Sequence, residues 1–251
     1  MNYFGLLDEN KVLRPRQIPG LAVWLDASQI IGLNDGDTIT QWDDLSGNNN
    51  HASQSTSTKR PLYKANIKNG LPVARFDGLD DFMSFSNLTL LQNVPYAACF
   101  AVLKTTAPGS ARYIFAASIN STTSIRYFIT RELTGVGKLG FAARRRDSDT
   151  LASLEGDLFS SDEWCLQTGI ADYGNAKGRV YKNKNLIASQ ETFLTTGNTD
   201  NTPSNAIVLG ASAAGASCIT GDIGEVLLYN RPLTIWQKNC IDNYLIGKWG
   251  L

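Results

Sequence analysis

The sequence predicts an all-β fold: a two-sheet antiparallel sandwich with one short C-terminal helix. Three observations carry that expectation. About a dozen short apolar runs recur at even spacing. Clusters of Gly, Asn, Asp, Ser and Thr separate them, with no helical periodicity between. Helical spacing with a start signal occurs once, after Thr234.

The elements follow in chain order. Residues 1–20 mix charge, Pro15 and Pro19 with an apolar cluster at Tyr3, Phe4, Leu6 and Leu7. They form either an arm that docks on a partner or a strand laid across their own domain; residues 21–251 read as one domain. Residues 21–27 and 38–42 are strand-like runs either side of an Asn34–Asp37 turn. Residues 72–78 follow Asn69-Gly70, a strong hairpin signal. Strand runs continue at 97–104, 112–118, 125–130, 138–144 and 164–173, then 178–183 and 185–190 joined around Lys184, and finally 206–212 and 222–230. The run 97–104 is almost continuously apolar, as in a strand covered on both faces, whereas 125–130 alternates as a half-exposed strand does. In the helix, Thr234 and Gln237 make a capping box, and Trp236, Cys240, Ile241, Tyr244 and Leu245 share an apolar face that packs on the sandwich. Trp24 and Trp42 are assigned to the core.

Composition narrows function. The chain has 251 residues, with 23 Lys+Arg balancing 23 Asp+Glu, so no net charge draws it to nucleic acid or to an anionic membrane. Its one histidine, His51, excludes multi-histidine metal sites. Cys99, Cys165, Cys218 and Cys240 lack metal or redox spacing and read as buried free thiols. No signal peptide and no membrane-length apolar run is visible; the chain is made in a cytoplasm, or its targeting segment is missing. GxSxG and GxxxxGK[ST] are absent.

Four segments standing in order, LAVWLDAS (21–28), QWDDLSGNNNHASQ (41–54), RPLYKANIKNGLPVARFDGLDDFM (60–83) and GDIGEVLLYNRPLTIWQKNCIDNYLIGKWGL (221–251), resemble the laminin-G-like type of concanavalin A-like jelly roll. The hairpin at 180–188 resembles the family's as well. The resemblance implies a jelly-roll sandwich whose members mostly bind carbohydrate or protein, with calcium in several of them. It is found in bacterial surface proteins, in accessory modules of polysaccharide-degrading enzymes and in bacteriophage virion proteins.

Some relatives of this fold hydrolyse glycans with an ExDxxE strand, which is absent here. The nearest approach, Asp222 and Glu225, stands three apart and so on opposite faces of a regular strand. Asp43-Asp44, Asp80-Asp81 and Asp162-Glu163 are adjacent pairs that point apart. The chain is therefore expected to be no enzyme. Sugar sites combine an aromatic platform with amides and carboxylates at loop tips, which selects Trp42, Asp43, Asn48, Asn49, Asn50, His51 and Tyr63; the loop 195–205 is a second place for recognition. Calcium needs oxygen donors, and Asp77, Asp80 and Asp81 are the candidates, ahead of Asp43 and Asp44, although turn chemistry alone would select the same residues. Arg144-Arg145-Arg146 can meet an anionic sugar or phosphate, or form a solvated hairpin end neutralised by Asp147 and Asp149.

The expected function is a non-catalytic glycan-binding, adhesin-like domain of a phage particle or bacterial cell surface, recognising surface polysaccharide. The alternatives are a structural virion assembly or decoration protein docked to a virion or cell-surface protein through residues 1–20, and a glycan hydrolase or lyase. An oligomer is compatible with each of these.

Overall fold

The computed structural model describes residues 13–106, 111–118, 125–131, 138–146, 148–158, 160 and 162–251. Sixteen strands run through them: β1 (Leu21–Asp26), β2 (Gln41–Trp42), β3 (Ala52–Ser53), β4 (Leu62–Lys68), β5 (Leu71–Asp77), β6 (Met83–Phe85), β7 (Tyr96–Thr105), β8 (Arg112–Ser118), β9 (Ile125–Arg131), β10 (Lys138–Ala143), β11 (Ala152–Leu158), β12 (Trp164–Asp172), β13 (Lys177–Lys182), β14 (Asn185–Gln190), β15 (Ile207–Leu209) and β16 (Thr220–Tyr229). One helix, α1 (Ile235–Trp249), follows. Two antiparallel sheets result, and the jelly-roll sandwich expected from the sequence is what the chain forms. The first has the order β14-β13-β12-β7-β16-β5-β4, with β1 also on β16; the second runs β11-β10-β9-β8-β15-β6-β3-β2.

Local chemistry sets the hairpins. Asn69 and Gly70 both take positive φ, at 51° and 74°, and turn β4 into β5; Asn183 and Lys184 do the same between β13 and β14, at 47° and 73°. The strand β7 lies between β12 and β16 and is buried on both faces, as its unbroken apolar run predicts.

The main core lies between the sheets, with Trp42, Phe76, Phe115, Tyr127 and Phe141 among its large side chains. Gln167 reaches across to donate to the carbonyls of Thr130 (2.9 Å) and Gly140 (3.1 Å), and the Tyr127 hydroxyl donates to the Gly169 carbonyl at 2.6 Å. Gly169 leaves no room for more: an added Cβ would stand 2.7 Å from Ile129. All four cysteines are buried thiols outside any disulfide.

A second core fills the outer face of the first sheet, where Phe100, Leu227 and Tyr229 pack under Ile241, Leu245 and Trp249 of α1. The helix starts as its sequence specifies, with Thr234 Oγ1 accepting from Gln237 N and Gln237 Oε1 accepting from Thr234 N; Gly250 ends it in the left-handed conformation. Ile18 and Leu13 join this cluster, and the Tyr229 hydroxyl donates to the Pro15 carbonyl at 3.1 Å. The described part of the first twenty residues thus lies on its own domain; residues 1–12 are outside the described residues.

The alternating run in β9 is not half-exposed. Arg126, Phe128 and Thr130, on its outer face, are as buried as Tyr127 and Ile129. The Arg126 guanidinium is spent on the carbonyls of Leu91 and Thr202, pinning two connecting segments over that face.

Candidate functional site

The edge of β16 is divided between two partners. Its first half pairs with β5 and its second half with β1. Between them the register against β7 slips by one residue at Gly224, a bulge. That bulge alters the expected placement of the two nearby acids. Asp222 and Glu225 lie on the same outer face, because the extra residue restores the parity that a regular strand would deny them. Neither is left free. Asp222 is held by Arg75 through both oxygens, at 2.7 and 3.0 Å.

Glu225 is fully buried and accepts four hydrogen bonds: Trp24 Nε1 (2.7 Å), Tyr244 hydroxyl (3.0 Å), Lys248 Nζ (2.8 Å) and Trp249 Nε1 (2.8 Å). Lys248 also donates to Asp26, whose other oxygen accepts from the Ser28 N–H (2.9 Å) and hydroxyl (2.7 Å). Two buried carboxylates therefore share one ammonium. Burial, and then the Asp26 charge, push the Glu225 carboxyl above its ordinary value.

This network is the floor of a cavity of about 700 Å³ between β1, α1 and residues 14–16. Trp24, Tyr244, Lys248, Asp26, Gln29, Leu45, Arg14 and Arg16 line it. Trp24 and Tyr244 meet edge to face with centroids 6.2 Å apart, each half-buried. Their polar atoms are tied down on Glu225, so the rings are fixed in position. Arg14 and Arg16 are exposed on the rim; Arg16 Nε donates to the Leu45 carbonyl, and Arg14 has no side-chain partner among the described residues.

The loop after β2 is organised by Asp44 and forms the wall of this cavity and of a second one. Asp44 Oδ1 accepts from Trp24 N (2.8 Å) and Ser46 N (2.9 Å), and Oδ2 from Ser46 Oγ (2.6 Å) and Asn50 N (2.9 Å). On the far side lies a polar cavity of about 600 Å³ whose lining includes Asn48, Asn50, Asn87, Asn230, Thr89 and Arg231.

The residues singled out from sequence scatter. Asn48 and Asn50 line the second cavity, with Asn50 buried and its amide donating to the Ala22 carbonyl at 2.7 Å. Asn49 is exposed and turns the loop at φ 59°. His51 Nδ1 accepts from Asp44 N (3.1 Å) and lies 3.2 Å from the Asp43 carboxylate, which also accepts from Gln41. Trp42 is fully enclosed between the sheets and offers no platform. Tyr63 packs half-buried on the main core and lines neither large cavity. Trp24, assigned to the core, instead faces the first cavity, because Val23 and Leu25 take the inward positions of β1.

Asp77, Asp80 and Asp81 do come together, each offering an oxygen within 4.8 Å of the others. Asp77 Oδ1 accepts from Leu79 N (2.8 Å) and Asp81 Oδ2 from Asp77 N (3.0 Å), so the cluster also closes its own turn. Burial raises Asp81 to about 6. Of the arginine run, Arg145 meets Asp149 at 3.4 Å and Arg146 meets Asp200 at 3.7 Å; Asp147 lies outside the described residues. In the loop 195–205, Thr199 is buried and its hydroxyl donates to the Leu91 carbonyl at 2.7 Å.

Sequence reasoning missed Arg14, Arg16, Asp26, Gln29, Tyr244, Lys248 and the hub role of Glu225. A signal was present: Trp24 and Asp26 stand two apart on one strand face, and Tyr244 and Lys248 four apart on one helix face.

Residues 76–235 match the family described as the Concanavalin A-like lectin/glucanases superfamily. The chain belongs to that superfamily. No curated protein matches it in sequence. Among solved structures, the botulinum neurotoxin serotype D ligand-binding domain in complex with N-acetylneuraminic acid is similar at TM-score 0.64 and 13% identity, covering 92% of this chain and 54% of that one. The binding domain of Paraclostridial mosquitocidal protein 1 is similar at 0.63 and 13%, covering 92% and 55%. Trypanosoma rangeli sialidase follows at 0.58 and 12%, covering 92% and 33%. This chain thus spans about half the length of the two toxin domains and a third of the sialidase chain. Among the described residues no helix is long and apolar enough to cross a membrane.

Proposed function

We propose that the chain is a non-catalytic carbohydrate-binding domain whose site is the Trp24 cavity. The observation that carries this reading is the pair of immobilised aromatic rings beside exposed arginines and an amide. A sugar ring needs an apolar face to lie on and donors for its oxygens, and this cavity supplies both. Membership of the lectin/glucanase superfamily supports the carbohydrate part of the reading, as does similarity to a domain solved with N-acetylneuraminic acid. Glycoside hydrolysis needs one carboxyl free to give a proton and another free to attack. Asp26, Asp222 and Glu225 are instead each committed to a cation. The setting proposed with this function is the surface of a phage particle or bacterial cell, where the domain would attach to envelope polysaccharide.

Calcium held by Asp77, Asp80 and Asp81 is part of the proposal. The residues fit in charge and proximity, but calcium takes about six to eight oxygens, so turn carbonyls and water would have to complete the shell. A cation there competes with the proton that burial favours on Asp81.

The test is a glycan and bacterial-polysaccharide binding screen of the full chain, with calcium and again with chelator. Saturable binding without product formation is expected, and Trp24→Ala should weaken it by about tenfold or more. Loss of binding with chelator would tie the Asp77 cluster to the site, and calcium titration of Asp80→Asn, read by calorimetry, should show lost heat. If a folded sample binds no glycan on a panel that includes host envelope polysaccharide, an assembly role through residues 1–20 replaces this reading.

A further inference from the structure

The acids and bases around the first cavity do not balance from a ligand's point of view. Every carboxylate oxygen in its floor is already occupied: Asp26 by Ser28 and Lys248, Glu225 by two indoles, a phenol and the same lysine. The Lys248 ammonium is divided between those two carboxylates. Among the described residues of the lining, the charge that remains facing outward is cationic. Arg14 carries a guanidinium with no protein partner among the described residues, and Arg16 commits one N–H and keeps the rest of its fork. Among the described residues Asp26 is the one acidic residue in the lining, and it lies at the floor, 3% exposed. The Gln29 amide is the remaining polar group at the rim.

We infer that the cavity takes an acidic sugar, its anionic group held by Arg14 and Arg16 while the ring lies against Trp24. This rests on the carbohydrate-binding reading and narrows it to one ligand class. The guanidinium fork suits planar carboxylate and tetrahedral sulfate alike, because each presents paired oxygens to parallel N–H donors. A neutral sugar would leave two exposed guanidinium groups beside the aromatic platform without a counter-charge. The whole chain has zero net charge, so attraction of an acidic polymer needs a local cationic group, and Arg14 and Arg16 supply one beside the aromatic rings.

The experiment measures binding of the full chain to four polymers of similar length: a polyuronate, dextran sulfate, neutral dextran and polyaspartate, each at low and high salt. The wild-type chain should bind the polyuronate or the sulfate saturably and lose affinity as salt rises. Arg14→Gln/Arg16→Gln should weaken that binding by about tenfold or more, with an unchanged thermal midpoint. Because Arg16 also ties down the Leu45 carbonyl, Arg14→Gln alone serves as the check should the double variant unfold. Preference for polyuronate over dextran sulfate identifies the carboxylate as the group read, and the reverse identifies the sulfate; either supports the inference. Equal binding by wild type and variants overturns it. Binding of neutral dextran alone also overturns it while leaving the carbohydrate reading in place. Polyaspartate bound as tightly as the acidic glycans, or no polymer bound at all, overturns both.

Discussion

Lys248 holds two carboxylates at once beneath the candidate site. It sits between Asp26 and Glu225, both buried, and its ammonium also lies 5.4 Å from the Trp249 ring. Removing one partner of a buried ion pair leaves a desolvated charge, which costs about 3–5 kcal/mol. Lys248→Met strands two carboxylates at once, so denaturant titration should show a loss at that level. Trp42→Ala should cost a similar amount, about 3–5 kcal/mol, by opening a cavity between the sheets. It should leave glycan affinity unchanged in whatever fraction remains folded, whereas Trp24→Ala should weaken glycan binding and also cost some stability, because the buried Glu225 loses one of its four donors. The two tryptophans look alike in sequence, each in an apolar run near a carboxylate, and only the strand face taken by their neighbours separates them.

At the scale of elements, the bulge at Gly224 is what brings the site together. It turns Glu225 to the outer face of the sheet, under α1, and its bare Cα makes room for the helix. A Cβ there would stand 2.5–2.8 Å from three atoms of the Trp249 ring. Gly224→Ala should therefore displace the last turn of α1 and cost about 1–3 kcal/mol, with a change in tryptophan fluorescence as the Trp249–Glu225 bond is broken. The hairpins and the helix were legible in the sequence, because Asn69-Gly70, the Thr234–Gln237 box and the helical apolar face act through neighbouring residues. The bulge was not. A Gly in a strand marks many things, and parity is lost only when pairing with β7 is known. For the same reason the site went unread: Trp24 and Glu225 lie 201 residues apart, and nothing local to either names the other.

For the molecule as a whole, buried carboxyls shape the response to pH. Glu225 and Asp242 both stand above the ordinary carboxylate range, chiefly through burial, and Asp242 Oδ1 has no hydrogen-bond partner. A carboxyl whose pKa is higher folded than unfolded favours the folded state most below its unfolded value, and this contribution is lost as pH rises through the folded value. Asp35 and Glu191, lowered by their lysine partners, act in the other direction, but both are open to solvent and weakly coupled to folding. Thermal midpoints should accordingly be higher near pH 5 than near pH 7. Asp242→Asn should narrow that difference, and an unchanged pH profile in that variant would show that Asp242 titrates as it does in the unfolded chain.

The shared edge of β16 also has a consequence for biosynthesis. The strand β1 leaves the ribosome early, yet the edge it needs belongs to a strand made some 200 residues later. At about 5–20 residues per second, β1 waits roughly 10–40 s with Trp24 uncovered. Ribosome-stalled chains ending before β16 would carry much of the second sheet and none of the Trp24 cavity. The proposed ligand would therefore find its cavity only after β16 and α1 are made, and chains lacking them are expected not to bind it.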